Sequence, residues 1–183
     1  ERLDALRHAY MDAFLPVFED TLAELLPLPG LSLRYSRGWD RQRTLAEVLR
    51  QGRESDSQMG FTQQGPQRAD LKLRVQRRPA VEVLSRGQQK LVVSALKLAQ
   101  GRLLEMSTGR TCIYLIDDLP AELDAEHRRV FCRWLERMDC QVFITTVDPD
   151  VLSGVWQSTT PVAMFHVEHG RLAAYGMKDF TTE

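Results

Sequence analysis

Two short apolar runs with a helix-length segment between them constrain the fold most. The runs are TCIYLI at residues 111–116 and QVFITT at residues 141–146. Both are nearly continuously apolar and rich in β-prone residues, which is typical of strands that are covered on both faces of a sheet. Between them, residues 124–138 place apolar side chains at helical spacing. A strand, a helix and a strand of these lengths predict a right-handed βαβ unit with parallel strands.

Apolar periodicity predicts the remaining elements, and Gly and Pro residues mark the breaks between them. The further predicted helices cover residues 3–26, 43–51 and 85–104, and a loop is expected after residue 51. The further predicted strands cover residues 31–38, 69–76 and 80–84, with a terminal hairpin around His169 and Gly170. The fold class is therefore α/β. A boundary near residue 60 is expected to separate a helical arm segment (1–60) from an α/β core (61–183).

Two carboxylates, Asp117 and Asp118, follow directly on the first covered strand. Ligands of open α/β sheets bind at the carboxyl ends of the strands, and paired carboxylates there suit Mg²⁺, which prefers oxygen ligands. The neighbouring parallel strand is expected to end at the same edge with Thr145 and Thr146. The alternative is a pair of solvated Asp residues at a turn, with two threonines that only extend a strand.

The segment LSRGQ at residues 84–88 opens the third predicted helix. Ser85 and Gln88 have the spacing of a capping box, which by itself explains their presence. Gly87, however, lies in the first turn, where Gly costs about 1 kcal/mol relative to Ala. Arg86 stands beside it at a helix N-terminus, where anions are favoured. The residues alone therefore leave a helix cap and an anion-binding site as equal alternatives.

Composition excludes some classes of protein and points to polyanionic partners. No apolar run is long enough to cross a bilayer, and the charged N-terminal segment does not have the pattern of a signal peptide. Three unpaired cysteines favour a reducing, cytoplasmic location. Residues 31–90 carry 13 basic and 6 acidic residues, so this region is a candidate for contact with phosphates.

The order of these motifs resembles that of ABC-type ATPases. LSRGQ resembles their signature motif, the run 112–118 their Walker B strand, and AELD at 121–124 their D-loop. Together with GPQRADL at 65–71 and SRGW at 36–39, they are similar to the C-terminal half of the RecF family. These bacterial recombination mediators are related to the heads of SMC proteins. The resemblance implies an ABC/SMC-like ATPase head with parallel strands, flanking helices and a terminal hairpin, plus part of a helical arm.

The resemblance also implies that the signature acts across a dimer. Two heads of this superfamily enclose ATP, and the signature of one head touches the γ-phosphate bound to the other. The residues implied are Ser85, Arg86, Gly87 and Gln88. In the D-loop, Asp124 is implied to contact the partner head. The phosphate-binding loop G-x-x-x-x-G-K-[ST] occurs nowhere in the 183 residues, so we expect a fragment that does not bind or hydrolyse ATP well by itself.

At the strand ends, the resemblance implies different roles for the two carboxylates. Asp117 holds Mg²⁺ as the Walker B residue, and Asp118 orients the attacking water. Because many ABC ATPases have the longer Glu at the second position, an Asp there predicts slow hydrolysis. Thr145 or Thr146 stands where many relatives have a histidine that senses the γ-phosphate.

The function implied is that of a DNA repair and recombination mediator. It binds gapped DNA as an ATP-dependent homodimer, and it works with RecR and RecO to load recombinase. The candidate DNA-binding residues are Arg34, Arg37, Arg41, Arg43, Arg68, Lys72 and Arg74. Two alternatives remain, a non-catalytic DNA- or protein-interaction module and a Mg²⁺-dependent nuclease built on Asp117 and Asp118.

Overall fold

A computed structural model describes residues 1–157 and 159–174, so the last part of the predicted core segment (175–183) lies outside the described residues. The described helices are α1 (Arg2–Leu25), α2 (Leu45–Met59), α3 (Ala80–Val83), α4 (Arg86–Thr108), α5 (Leu119–Glu122) and α6 (Ala125–Arg137), with 3₁₀ turns at Pro66–Arg68 and Pro149–Leu152. The described strands are β1 (Leu31–Ser36), β2 (Asp70–Val75), β3 (Arg78–Pro79), β4 (Tyr114–Ile116), β5 (Val142–Ile144), β6 (Phe165–Glu168) and β7 (Arg171–Ala174). None of the described helices is long and apolar enough to cross a membrane.

The predicted βαβ unit is present. Strands β4 and β5 pair in parallel, with Tyr114 opposite Val142 and Ile116 opposite Ile144, and α6 lies between them in the chain. The expectation that both faces of these strands are covered is wrong for the described residues. Leu115 is 78% exposed and Phe143 is 53% exposed, because the helices pack against the other face only.

A close contact between α4 and β4 places the parallel strands against the helices. Gly101 faces Tyr114, and a Cβ atom at residue 101 would lie 1.9 Å from the Tyr114 hydroxyl. Gly101 has no side-chain atoms, so the helix approaches the strand more closely than an Ala would allow. The main core then joins α1 to α4 and α6, through residues such as Phe14, Phe18 and Leu98 that are at most 2% exposed.

The boundary expected near residue 60 lies between elements that are packed together. Strand β1 precedes it and β2 follows it, and the two form an antiparallel pair with Leu33 opposite Leu73. Helix α1 also packs against α4, which lies on the other side of the boundary. The division into 1–60 and 61–183 stays a prediction, and the structure adds that the two segments share one core.

Several predicted elements are wrong in extent or type, including the helix expected over 85–104, which continues to Thr108. Helix α2 continues to Met59 instead of ending in a loop after residue 51, and it ends at Gly60, whose φ of 75° is left-handed. Only Val48 of this helix is buried, so the polar residues that suggested a loop line its solvent side. Residues 80–83 form the short helix α3 instead of a returning strand, because the pairing of β3 ends at Pro79. The terminal hairpin, β6 with β7, is confirmed within the described residues.

Candidate nucleotide and magnesium site

The carboxyl ends of β4 and β5 bring Asp117 and Thr145 together. The Thr145 hydroxyl donates a hydrogen bond of 2.5 Å to Asp117 Oδ1. The same hydroxyl oxygen accepts a bond of 2.9 Å from the backbone N–H of Asp118. The backbone N–H of Thr145 donates to the carbonyl of Ile116 at 3.0 Å, which extends the parallel ladder to this edge. A single threonine therefore fixes the positions of both aspartates.

The second aspartate, Asp118, lies at a sharp turn of the chain. Its φ of 45° is left-handed, and the short helix α5 begins directly after it. Asp117 and Asp118 are both exposed, so their carboxylates face solvent at the edge of the sheet. Asp118 is one of the few non-Gly residues described with positive φ, a conformation that clusters at functional sites.

Thr146 does not take part in this arrangement. Its hydroxyl donates to the carbonyl of Asp148 at 2.8 Å and accepts from the backbone N–H of the same residue at 3.2 Å. These two bonds hold a local turn after β5. Of the two threonines that the sequence proposes, Thr145 is the one that bonds to the Asp117 carboxylate and to the backbone N–H of Asp118.

The residues at this edge fit a magnesium ion. Asp117 Oδ2 makes no hydrogen bond with a described residue, and Asp118 is open to solvent. Mg²⁺ keeps several waters and is commonly held by one or two carboxylates together with substrate phosphates, so two exposed carboxylates suffice. Among residues 1–157 and 159–174, no larger group of His, Cys, Asp and Glu side chains gathers as a metal site.

The start of α4 forms the capping box that the sequence predicts. Ser85 Oγ accepts from the backbone N–H of Gln88 at 3.2 Å, and Gln88 Oε1 accepts from the backbone N–H of Ser85 at 3.0 Å. Ser85, Arg86 and Gly87 are exposed. A Cβ atom at Gly87 would meet nothing within 4 Å, so packing within the described residues does not require a glycine there.

Asp124, which the resemblance places in a D-loop, lies across a groove from this helix start. The groove is lined on one side by the N-cap residue Ser85 and by Gly87, Gln88 and Leu91 of α4, and on the other by residues 122–124 and His127. Asp124 caps α6, because its Oδ1 accepts from the backbone N–H groups of Glu126 and His127. Its Oδ2 lies 2.6 Å from His127 Nδ1. Hydrogen bonds from the His127 backbone and ring hold the pKa of Asp124 below its ordinary value.

Two residues that the sequence did not single out fix the geometry of this groove. Lys90 Nζ lies 3.0 Å from Glu122 Oε2 and donates to the carbonyl of Ala121 at 3.3 Å, which connects α4 to the segment 121–124. His127 forms the ring contact with Asp124 described above. The spacing of Asp124 and His127, three residues apart on a helix, is the signal that predicts their contact.

The seven basic candidates differ in how their side chains are engaged. Arg37 is largely buried, donates to the carbonyls of Asp40 and Arg43, and stacks 4.4 Å from the Trp39 ring. Arg41 donates to the carbonyl of Tyr35 at 3.0 Å. Both arginines therefore connect backbone segments of the fold.

The other five candidates are exposed. Arg43 donates to Gln51 Oε1 at 2.7 Å, and Arg68 lies 5.5 Å from the Phe61 ring. Arg74 donates to the carbonyl of Arg77 at 3.2 Å. Arg34 and Lys72 lie directly opposite each other on β1 and β2.

Residues 20–172 match the family model described as the RecF/RecN/SMC N terminal domain. The chain is 74% identical over 172 residues to the DNA replication and repair protein RecF of Chromohalobacter salexigens, covering 94% of this chain and 48% of that protein. It is 56% identical over 173 residues to the RecF protein of Pseudomonas aeruginosa strain LESB58, covering 94% and 47%. The chain thus spans about half the length of the curated relatives it matches.

These matches bear on the expectation that the chain corresponds to the C-terminal half of RecF. The matching model is described as an N-terminal domain, which is at odds with the expected correspondence to the C-terminal half of RecF. The homology to RecF over about half of its length is shown, whereas the assignment to the C-terminal half is not confirmed.

Solved structures confirm the expected α/β fold of an ABC/SMC-like ATPase head. The structure described as the recombination mediator protein RecF-ATPrS in the RecFOR pathway matches with a TM-score of 0.72 and 22% identity, covering 94% of this chain and 46% of that one. The SmcHead bound to the C-winged helix domain of ScpA matches with a TM-score of 0.54 and 16% identity, covering 92% and 43%. At these identities the likeness concerns the fold alone.

Proposed function

The chain belongs to the RecF/RecN/SMC family, and on that premise we propose that it is part of an ATP-dependent DNA-binding head that acts as a recombination mediator. The observation that carries this proposal is the arrangement at the carboxyl ends of β4 and β5. There Thr145 bonds to Asp117 and to the backbone of Asp118, where an α/β sheet binds its ligands.

In this proposal the strand ends supply the groups that act on the nucleotide. Asp117 holds Mg²⁺, which when bound neutralises charge on the phosphates. Asp118 accepts a hydrogen bond from the attacking water and so orients it. The Thr145 hydroxyl holds the Asp117 carboxylate in place. It also lies where it can contact a phosphate or a water at the same edge of the sheet.

The exposed start of α4 acts on the nucleotide of a partner head. Ser85 Oγ, the free backbone N–H groups of the first turn and the Arg86 guanidinium favour an anion at this position. A Cβ atom at Gly87 would meet no other atom within 4 Å, so packing within the described residues does not explain a glycine there. This supports a close approach by a group from outside the chain. The groove between Ser85 and Asp124 would then lie in the interface of an ATP-dependent homodimer.

One face of the β4–β5 pair is not covered by helices, which supports a head whose sheet is covered on this face by a further layer of structure. Leu115 and Phe143 expose apolar side chains on the face opposite the helices, and an exposed apolar patch marks a surface that is covered in the working protein. We propose that a segment outside this chain covers it and supplies the phosphate-binding loop that the 183 residues lack.

The wider role follows from the relatives. The two RecF proteins compared above are named for DNA replication and repair, and we propose the same role for this chain. The proposal includes gapped DNA as the ligand, RecR and RecO as partners, loading of recombinase as the outcome and the cytoplasm as the location. Hydrolysis is proposed to be slow, because Asp118 is one methylene shorter than the Glu that is usual at this position.

The test uses the complete gene product with ATP and Mg²⁺. Wild type is expected to dimerise in sedimentation velocity only when ATP is present. Asp118→Asn is expected to keep this dimer and to lower ATP turnover by about 100-fold, the usual contribution of a general base. Asp139→Asn is the matched control, since Asp139 is exposed, lies just after the end of α6 and also has positive φ. Equal turnover in the two variants would contradict the role of Asp118.

A further inference from the structure

The amino ends of the two parallel strands each carry a cysteine. Tyr114 lies opposite Val142 in the register of β4 and β5, and the backbone N–H of Tyr114 donates to the carbonyl of Gln141 at 2.9 Å. Continuing this register back by two residues places Cys112 beside Cys140. Neighbouring strands lie about 4.8 Å apart, which is within the range of Cα separations that a disulfide spans.

Both thiols lie on the side of the strands that faces the helices. A Cβ atom at Gly101 of α4 would lie 3.5 Å from Cys112 Sγ. The Cys140 thiol donates to the carbonyl of Leu135 at 3.7 Å. Burial raises the pKa of Tyr114, and the two thiols raise it further, as expected of two sulfur atoms close to the same hydroxyl.

The two thiols also affect each other. Burial raises the pKa of Cys140, and the neighbouring Cys112 adds to this rise. The third cysteine, Cys132, has no exposed surface, and its charged neighbours are Glu136 and Arg128. Cys112 and Cys140 are therefore the cysteines that lie side by side, and both are only half-buried, so a small solute can reach them.

We infer that Cys112 and Cys140 form a reversible disulfide when the protein is exposed to a peroxide. In a reducing compartment cysteines are kept as thiols, and the disulfides that do form there are usually transient and redox-sensing. The nucleotide site proposed above uses neither residue. The disulfide joins β4 to β5 at the end of the pair opposite to Asp117 and Thr145.

The step is a two-electron oxidation with hydrogen peroxide as the oxidant. One cysteine thiolate attacks a peroxide oxygen, the O–O bond breaks, and the departing hydroxide takes up the thiol proton to leave as water, which gives a sulfenic acid. The second sulfur attacks this sulfur, the S–S bond forms and a second water leaves. Two thiols are thus oxidised and one peroxide is reduced to two waters. Because burial raises the pKa of Cys140 and disfavours its thiolate, the first attack is assigned to Cys112.

The test maps disulfides in the complete gene product after treatment with hydrogen peroxide. Trypsin cleaves after arginine and so separates the three cysteines into the peptides 111–128, 130–133 and 138–171. In the folded protein, the main cross-link is expected to join 111–128 to 138–171. Dithiothreitol is expected to reverse it.

Oxidation in urea is the control for this map, because loop closure alone then decides the pairing. Cys132 and Cys140 are eight positions apart, whereas Cys112 and Cys140 are 28 apart, so the unfolded chain favours the shorter loop by about sixfold. A folded protein that gives mainly the shorter loop, or no cross-link between these peptides, would overturn the inference.

A pair of variants tests the inference by a second measurement. Under excess peroxide, a sulfenic acid without a partner is oxidised further to a sulfinic acid, which dithiothreitol does not reverse. Cys140→Ser is therefore expected to lose most of its Cys112 thiol after peroxide followed by dithiothreitol. Wild type and the matched control Cys132→Ala are expected to recover it. Equal recovery of the Cys112 thiol in the two variants would mean that Cys140 does not pair with Cys112.

Discussion

Thr145 and Asp117, on neighbouring parallel strands, are joined by a hydrogen bond of 2.5 Å between the hydroxyl and Oδ1. The threonine oxygen also accepts from the backbone N–H of Asp118. A carboxylate that accepts a bond from a fixed hydroxyl has its orientation set before any ligand arrives. The effect of Thr145 on function is therefore expected to be exerted through the position of the two aspartates.

Thr145→Val tests this positioning role, since valine keeps the shape of the side chain and removes the hydroxyl. ATP turnover by the complete gene product is expected to fall about tenfold, the lower end of the usual effect when a metal ligand loses its hydrogen-bond partner. The free energy of unfolding is expected to fall by about 1 kcal/mol. Thr145→Ser restores the hydroxyl and is expected to recover most of the turnover.

Thr146→Val is the control for this prediction. Among the described residues, its hydroxyl bonds to the backbone of Asp148 alone, so the variant loses comparable hydrogen bonds without affecting Asp117. Urea denaturation and steady-state ATP turnover measured together separate the two roles. Equal losses of turnover in the two valine variants would show that Thr145 has no special role.

Ser85→Asp separates the capping role of Ser85 from its proposed role across the dimer. Aspartate is as good an N-cap as serine and suits the positive end of the helix dipole, so the stability of the protein is expected to stay within about 0.5 kcal/mol of wild type. The added negative charge would face the γ-phosphate of ATP on the partner head. ATP-dependent dimerisation in sedimentation velocity is therefore expected to be lost.

Helix α2 offers the matched control, because Thr44 and Glu47 form the same capping box at its start. Thr44→Asp makes a similar chemical change at a helix start that does not line the groove between Ser85 and Asp124, and it is expected to leave dimerisation intact. A Ser85→Asp variant that dimerises with ATP as Thr44→Asp does would contradict the role of LSRGQ at the interface.

Much of this site can be predicted from the sequence. The patterns that indicate it are either local in the chain or depend only on the register of the β4–β5 pair. The apolar runs ending in Asp117 and Thr145 predict parallel strands, and parallel strands bring their carboxyl ends to one edge. The spacing of Ser85 and Gln88 predicts the capping box that is observed. Once Ile116 is known to pair with Ile144, the residues that follow each strand are Asp117 and Thr145, which selects Thr145 over Thr146.

The sequence could not predict contacts that depend on distant backbone. Arg37 and Arg41 have the composition of a DNA-binding patch, yet both donate hydrogen bonds to main-chain carbonyls, which no side-chain pattern indicates. Likewise, a continuous apolar run does not reveal which face of β4 and β5 is covered. That depends on which face the helices pack against, and Leu115 is exposed because Tyr114 and Ile116 are the residues of β4 that pack against the core.

Gly101→Ala is expected to destabilise the protein, because its Cβ would lie 1.9 Å from the Tyr114 hydroxyl. The helix or the tyrosine has to move, at an expected cost of about 1–3 kcal/mol, which is usual for overpacking. Tyr114→Phe in the same chain removes the nearest atom and is expected to recover part of this loss. Gly87→Ala is the control, since space there is open and Ala favours the helix. Urea unfolding that finds Gly101→Ala as stable as Gly87→Ala would show that the close contact does not set the packing.

The capping bonds to Asp124 predict a pH dependence of stability. Hydrogen bonds from His127 lower the pKa of Asp124 below its ordinary value of 3.8, so the folded state binds a proton on this group less readily than the unfolded state. The contribution to stability is therefore fully present above pH 3.8 and is lost as the pH falls through the lower folded pKa.

Asp124→Asn keeps an N-cap residue and removes the titrating group. The difference in the free energy of unfolding between wild type and this variant is expected to be constant above about pH 5 and to shrink as the pH falls below about 4. Urea denaturation at intervals between about pH 2.5 and pH 6 measures it across this range. Glu47→Gln is the comparison, because hydrogen bonds from Thr44 likewise lower the pKa of Glu47, and it is expected to show the same sign. A difference for Asp124→Asn that stays constant down to the lowest pH would mean that the charge of Asp124 does not stabilise the start of α6.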